Sequence, residues 1–299
     1  MSICQIESRD TTRSNSRTPL RTLKVYDDRY VVQDNLKLST KMSQTQSITT
    51  QLLGRVMIVS LNRPDSFNAW TDAMYSRYHD ILTSAATNTS VACLLLRANG
   101  KNFSAGQDVK ELAQYPVGST GAPSFDQMLR AHVTFPKPLI AAVQGLAIGW
   151  GATLLATCDL VIMSTTAKIR LPFTALGLAP EAGSSNTFPS LMKQDANWLL
   201  YSSEYMHAVD CKRVGLAFKV VAPMNLLDQT MRHCHIIAAQ PIASLTATKR
   251  LIVQSSAEST LAAHEREQHA FANGLLGGKA NVEALRALKE KRLADFSKL

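Results

Sequence analysis

The chain has 299 residues, 45% of them hydrophobic and 18% charged, enough for one large or two ordinary domains with a real core, so disorder throughout is excluded. No apolar run approaches the length that spans a bilayer, and 14 glycines with 11 prolines exclude a fibrous or low-complexity chain. Thirty-two Lys plus Arg against 23 Asp plus Glu give +9, which favours an anionic partner: nucleic acid, an acidic surface, or a ligand carrying phosphates.

Residues 1–46 are dominated by Ser, Thr, Arg and Gln without apolar periodicity and read as a disordered leader. Arg9, Arg13, Arg17 and Arg21 give it the composition of an organellar presequence, but an apolar face is missing. A solvated tail, or an extension before an internal start at Met42, is the favoured reading. From Ile48 the signals become regular. Ile48 to Leu53 and Val56 to Leu61 predict a hairpin turning at Gly54 and ended by Asn62-Arg63-Pro64. Met74, Tyr78 and Leu82 predict a helix over Trp70 to Ala86, and Val91 to Arg97 a buried strand. Pro138 to Val143 and Leu160 to Met163 are further strands, with a short helix over Gly151 to Thr157 between them. After Asp195 helices are expected through Tyr201 and over 209–216, 226–239, 245–253, 261–275 and 282–294. Strands alternating with helices argue an α/β fold with largely parallel pairing. Cys4, Cys93, Cys158, Cys211 and Cys234 are odd in number and contain no C-x-x-C pair, which fits a reducing compartment better than a disulfide framework or a zinc site.

Three loops could carry chemistry. Phe103-Ser104-Ala105-Gly106-Gln107-Asp108 follows a strand, and its small residues let backbone approach a ligand closely. Gly145 to Ala152 is a small-residue turn between strand and helix, so free amides at the helix N-terminus could hold an anion. Its spacing is not that of a dinucleotide fingerprint. In Leu176 to Ser185 one carboxylate, Glu181, sits among apolar and small residues, and desolvation would raise its pKa toward values useful for proton transfer beside a carbonyl. Taken alone, Pro180-Glu181 is equally an ordinary helix start.

Together, Lys137 to Gly145, Gly149-Trp150-Gly151, Cys158-Asp159-Leu160 and Phe103 to Asp108 resemble the enoyl-CoA hydratase/isomerase, or crotonase, superfamily over about Ile48 to Val253. The resemblance implies a ClpP-like spiral of ββα turns over 47–253, a helical C-terminal region over 254–299, and homotrimers or hexamers. It implies an acyl-CoA thioester substrate and no separate cofactor, since the substrate carries the CoA. The thioester oxygen would lie between the backbone N–H groups of Gln107 and Trp150. Ser104, Ala105, Gly106 and Asp108 would cradle CoA, Asn68 and Ala69 would line it, and Gly149, Gly151 and Thr153 would complete the substrate site. Asp108 is equally read as a loop or cap acid. Trp150 stands where many relatives carry glycine, which leaves the amide but reshapes the acyl pocket.

Hydratases of the superfamily use two glutamates to activate water, and Thr153 stands at the first of those positions. Glu181 remains as a single base, and the stretch from Leu176 to Pro189 resembles the peroxisomal Δ3,Δ2-enoyl-CoA isomerase branch, in which a lone glutamate moves the proton. Ser297-Lys298-Leu299 reads as a peroxisomal address for an import receptor. The alternatives kept open are a hydratase-like enzyme of fungal secondary metabolism, in toxin or siderophore biosynthesis, and an RNA-binding crotonase. The basic residues Lys279, Arg286, Lys289, Lys291, Arg292 and Lys298 lack aromatic interleaving, which disfavours nucleic acid. Met128, Leu129 and Phe135 read as core, Tyr115 to Phe125 as a lid over the substrate, and His233-Cys234-His235 as a structural stretch of a helix rather than a metal site.

Overall fold

The computed structural model describes residues 46–297 and 299, so the expected leader falls outside the described residues apart from its last position, as does Lys298. Ile48–Leu53 (β1) and Val56–Leu61 (β2) form the expected antiparallel hairpin. The chain continues through helix Asp72–Thr87 (α1), strand Cys93–Ala98 (β3), the single turn Val109–Leu112 (α2) and helix Phe125–Val133 (α3). Strands Leu139–Val143 (β4) and Leu146–Ile148 (β5), the short helix Trp150–Thr153 (α4), and strands Leu160–Ser164 (β6) and Lys168–Arg170 (β7) follow. Helices Ser184–Met192 (α5) and Gln194–Ser202 (α6), strand Tyr205–His207 (β8), helix Ala208–Arg213 (α7) and strand Lys219–Val221 (β9) lead to the last helices. These are Leu226–Ala238 (α8), Ile242–Ala270 (α9) and Lys279–Glu290 (α10).

The main sheet has the order β1-β2-β3-β4-β6-β9, and every pair after the hairpin is parallel. A second sheet, β5-β7-β8, lies in the turns that carry the loops. Alternate strand residues feed two cores. Val59, Leu61, Leu94, Leu96, Ala141 and Met163 join Met74, Tyr78 and Leu82 of α1 and Met128, Leu129 and Phe135 on one face. Val56, Ile58, Leu95, Ile140 and Ile162 pack on Leu226, Cys234 and Ala238 of α8 on the other. Because both faces are covered, these strands are continuous apolar runs in sequence rather than alternating ones.

Several boundaries move for local reasons. α1 begins at Asp72 rather than Trp70, because the Thr71 side chain caps it by accepting from the Met74 N–H (3.3 Å), while Trp70 pairs with Gln107. The expected helix over 151–157 is α4 followed by a 3-10 turn at Leu154–Thr157. The two helices expected over 245–253 and 261–275 merge into one helix, α9, which passes straight through the boundary drawn between 253 and 254 and ends at Ala270. Gln254, Ser255, Ser256, Glu258 and Ser259 interrupt the apolar pattern and are exposed, while Ala257 between them packs on the core. α10 stops at Glu290, where Lys291 takes a positive φ of 56°, instead of running to Ala294. Among the described residues no helix is long and apolar enough to cross a membrane.

Candidate active site

Two of the three loops are stitched together by backbone. Ser104 donates its N–H to Leu146 O (3.0 Å) and accepts at its own carbonyl from Ile148 N–H (2.9 Å). Trp70 N–H donates to Gly106 O (2.7 Å) and Asp108 N–H to Trp70 O (2.8 Å), a parallel bridge in which the Gln107 N–H points away from Trp70. Trp150 is the first residue of α4, where a helix leaves its N–H groups without internal acceptors. Among the described residues neither the Gln107 nor the Trp150 N–H has an acceptor. Glycine makes this proximity feasible. A Cβ on Gly106, whose φ is +82°, would lie 2.6 Å from Ile148 O, and one on Gly151 would lie 2.8 Å from Ser104 O.

Other expected binding residues also brace the loop from within. Asn68 is fully buried; its Nδ2 donates to the carbonyls of Asn99 and Asn102 (2.9 Å each), and its Oδ1 accepts from Arg63 N–H (2.8 Å). Ala69 accepts at its carbonyl from Arg63 Nη1 (2.6 Å), and the Ser104 hydroxyl donates to Asn68 O (2.9 Å) and accepts from Gly106 N–H (3.1 Å). Asp108 takes its cap reading: one oxygen accepts from Lys110 N–H at the start of α2 (3.0 Å) and the other from Arg63 Nη2 (3.1 Å). Ala105 N–H donates to Phe67 O (2.9 Å). These groups shape the loop, and their side-chain polar atoms are already engaged within the protein.

The third loop brings Glu181 onto Thr153, whose Oγ1 donates to Glu181 Oε1 (2.7 Å). Pro180-Glu181 is not the helix start. Ala182 and Gly183 both have positive φ (60° and 71°), and α5 begins only at Ser184. Glu267 of α9 holds this turn, its carboxylate accepting from Gly183 N–H (2.7 Å) and Ser185 N–H (2.8 Å). Burial pushes the Glu181 carboxyl up to about 8; the Thr153 hydroxyl opposes the rise and the Glu267 charge adds to it. Glu267 is itself raised, chiefly by burial.

Aromatic side chains wall the space between the loops. The Trp150 indole meets Phe125 (5.2 Å between centroids), His132 (5.5 Å) and Trp70 (6.2 Å), all near perpendicular. Tyr75 Oη donates to Gln107 Oε1 (2.7 Å), and burial and then the Glu181 charge push the phenol well above its ordinary range, so Tyr75 links the first loop to the third. Gln107 Nε2 also reaches Tyr115 Oη and Glu111 Oε2 (3.4 Å each), and Phe125 opens α3, so both ends of the expected lid touch this wall. Tyr75 and Glu267 were not singled out from sequence. Tyr75 lies within a plain amphipathic pattern, and Glu267 stands 86 positions from Glu181, so only the fold brings the pair of carboxylates near each other. At the other end of the chain, Ser297 bonds Asp295 and Leu299 is exposed, apart from the loops. Of the basic C-terminal residues, Arg286 and Arg292 are engaged with Glu283 (2.8 and 2.6 Å).

Two outward amides and a buried carboxyl whose pKa is pushed up share a spiral α/β scaffold, an arrangement that can hold an oxyanion and move a proton. The enoyl-CoA hydratase/isomerase family model matches residues 53–298, and the chain belongs to that family. It is 30% identical to the 2,3-dehydroadipyl-CoA hydratase of Escherichia coli K12 over 243 residues, covering 81% of this chain and 95% of that protein. It is equally 30% identical over 252 residues to the 1,2-epoxyphenylacetyl-CoA isomerase of the same strain, with the same shares covered. Among solved structures, an enoyl-CoA hydratase/isomerase from Pseudoalteromonas atlantica T6c superposes with a TM-score of 0.79 at 32% identity, over 84% of this chain and all of that one.

Proposed function

We propose that the protein is an enoyl-CoA isomerase that moves a double bond from the 3 to the 2 position of an acyl-CoA thioester. The observation that carries this reading is the Thr153 hydroxyl at 2.7 Å from Glu181, where a water-activating enzyme of the family needs a second carboxylate. Relatives named hydratase and isomerase match equally well, so the choice rests on the site. In the proposed reaction the ionised Glu181 takes a proton from C2, breaking the C–H bond and forming the carboxylic acid. The electrons pass into a dienolate whose oxygen accepts from the N–H groups of Gln107 and Trp150. Glu181 then gives its proton to C4, which leaves the double bond between C2 and C3 and restores the carboxylate. Thr153 donates to the ionised carboxylate and so limits the rise in its pKa.

Glu181→Gln is expected to lower kcat for a 3-enoyl-CoA by about 100- to 10,000-fold, the usual contribution of a general base. Thr153→Glu is expected to introduce measurable hydration of a 2-enoyl-CoA. Unchanged turnover in Glu181→Gln would remove the carboxylate from the mechanism and overturn the reading.

A further inference from the structure

We propose that His264 recognises a hydroxyl group on the acyl chain, beyond the carbons between which the double bond moves; this rests on the acyl-CoA reading above. His264 is buried in α9, 2% exposed, and neither ring nitrogen has a hydrogen-bond partner. Buried polar side chains in folded proteins are almost always paired, so an unpaired imidazole packed against the aromatic cluster of the candidate site points to a partner that arrives with the ligand.

Its position supports this. His264 lies one turn before Glu267 and one turn after Thr260, which abuts Gly183, so it shares the face of α9 that holds the Glu181 loop. Its ring meets Phe125 edge-on (5.9 Å), and the Phe125 ring in turn meets Tyr75 (5.1 Å) and Trp150 (5.2 Å). Phe125 thus connects the rings around the reacting groups to His264, and in the proposal the acyl chain runs along it. Two further buried hydroxyls without partners, Ser184 Oγ and Thr187 Oγ1, lie on α5, the helix packed against α9.

The charges around the ring select the chemistry. Nε2 is 3.4 Å from Asp126 Oδ1 without the alignment of a hydrogen bond. Asp126 is itself gripped by Arg130 Nε (3.0 and 3.2 Å), and Arg130 also reaches Glu265 (3.2 Å). Burial, the largest effect, lowers the pKa of His264, so the ring is neutral at pH 7 and offers one donor and one acceptor. A hydroxyl matches that pair. A carboxylate would lie beside Asp126 with Arg130 already engaged, and a methyl end would leave both nitrogens unpaired.

The test compares binding of saturated acyl-CoA thioesters of one chain length ending in methyl, hydroxyl or carboxylate, measured by calorimetry, which needs no turnover. Wild-type protein is expected to bind the hydroxyl form about 10- to 100-fold tighter than the methyl form. His264→Phe is expected to bring that ratio to about one without weakening the methyl form, and His264→Gln to keep most of it, since the amide still donates and accepts. His264→Leu gives the same readout should Phe overfill the site. Equal wild-type affinity for methyl and hydroxyl ends, a preference for carboxylate, or a ratio unchanged in the apolar variants would overturn the proposal. The two readings fail separately: absent double-bond shift with the hydroxyl preference intact overturns only the isomerase reading, and isomerisation without that preference overturns only this one.

Discussion

Glu181 takes its character from burial and two neighbours rather than from its own sequence context. Burial raises it to about 8, Thr153 opposes the rise and Glu267 adds to it. With Glu181 as the proposed base, ionised in the free enzyme, kcat/KM for a 3-enoyl-CoA is expected to rise with pH and level off above about 8. Thr153→Ala removes the hydrogen bond that favours the ionised form, so the midpoint should move upward by about one unit. A profile already flat from pH 6 in wild type would contradict this. The same group bears on stability. A carboxyl raised from 4.5 to about 8 on folding stabilises the native state fully below 4.5, and that contribution is lost as pH rises through about 8. Glu181→Gln stays neutral throughout, so its melting temperature should exceed that of wild type by more at pH 8 than at pH 4.5, as scanning calorimetry would show.

At the scale of elements, the site depends on how closely two loops and one helix approach. Gly106→Ala would drive a Cβ to 2.6 Å from Ile148 O and force the loops apart at a positive φ. We expect a loss of kcat of about 100-fold or more, as when an oxyanion donor is removed, together with a lowered melting temperature. Glu267→Gln removes a like charge from near Glu181 while keeping one acceptor for the turn at Gly183 and Ser185, so the pH–rate midpoint should fall rather than rise. The core strands and α1 were legible in sequence because their apolar runs and 3.6-residue spacing are strong signals. The continuity of α9 was not, because the polar Gln254, Ser255, Ser256, Glu258 and Ser259 interrupt the apolar stripe. Nor was the role of Asn68 clear, since a buried asparagine that binds three backbone groups looks in sequence like any loop asparagine.

For the molecule as a whole, the loops at Gln107, Trp150 and Glu181 could be read as one site only through family resemblance, and the structure shows what holds them. α9, from the far end of the chain, supplies Glu267 to the third loop, and Tyr75 of α1 joins Gln107 to the surroundings of Glu181. Such contacts leave no local trace, because the partners are separated by tens of residues and each sits in an unremarkable helical pattern. Of the charges behind the net +9, residues 1–50 hold eight Lys plus Arg against five acids, and Arg286 and Arg292 are occupied by Glu283. The most direct measurement is the product balance from paired 3-enoyl-CoA and 2-enoyl-CoA substrates, followed by nuclear magnetic resonance. A single carboxylate beside Thr153 predicts conversion of the 3-enoyl to the 2-enoyl thioester with little 3-hydroxyacyl product from either; efficient formation of 3-hydroxyacyl-CoA from the 2-enoyl substrate, with no double-bond shift, would contradict it.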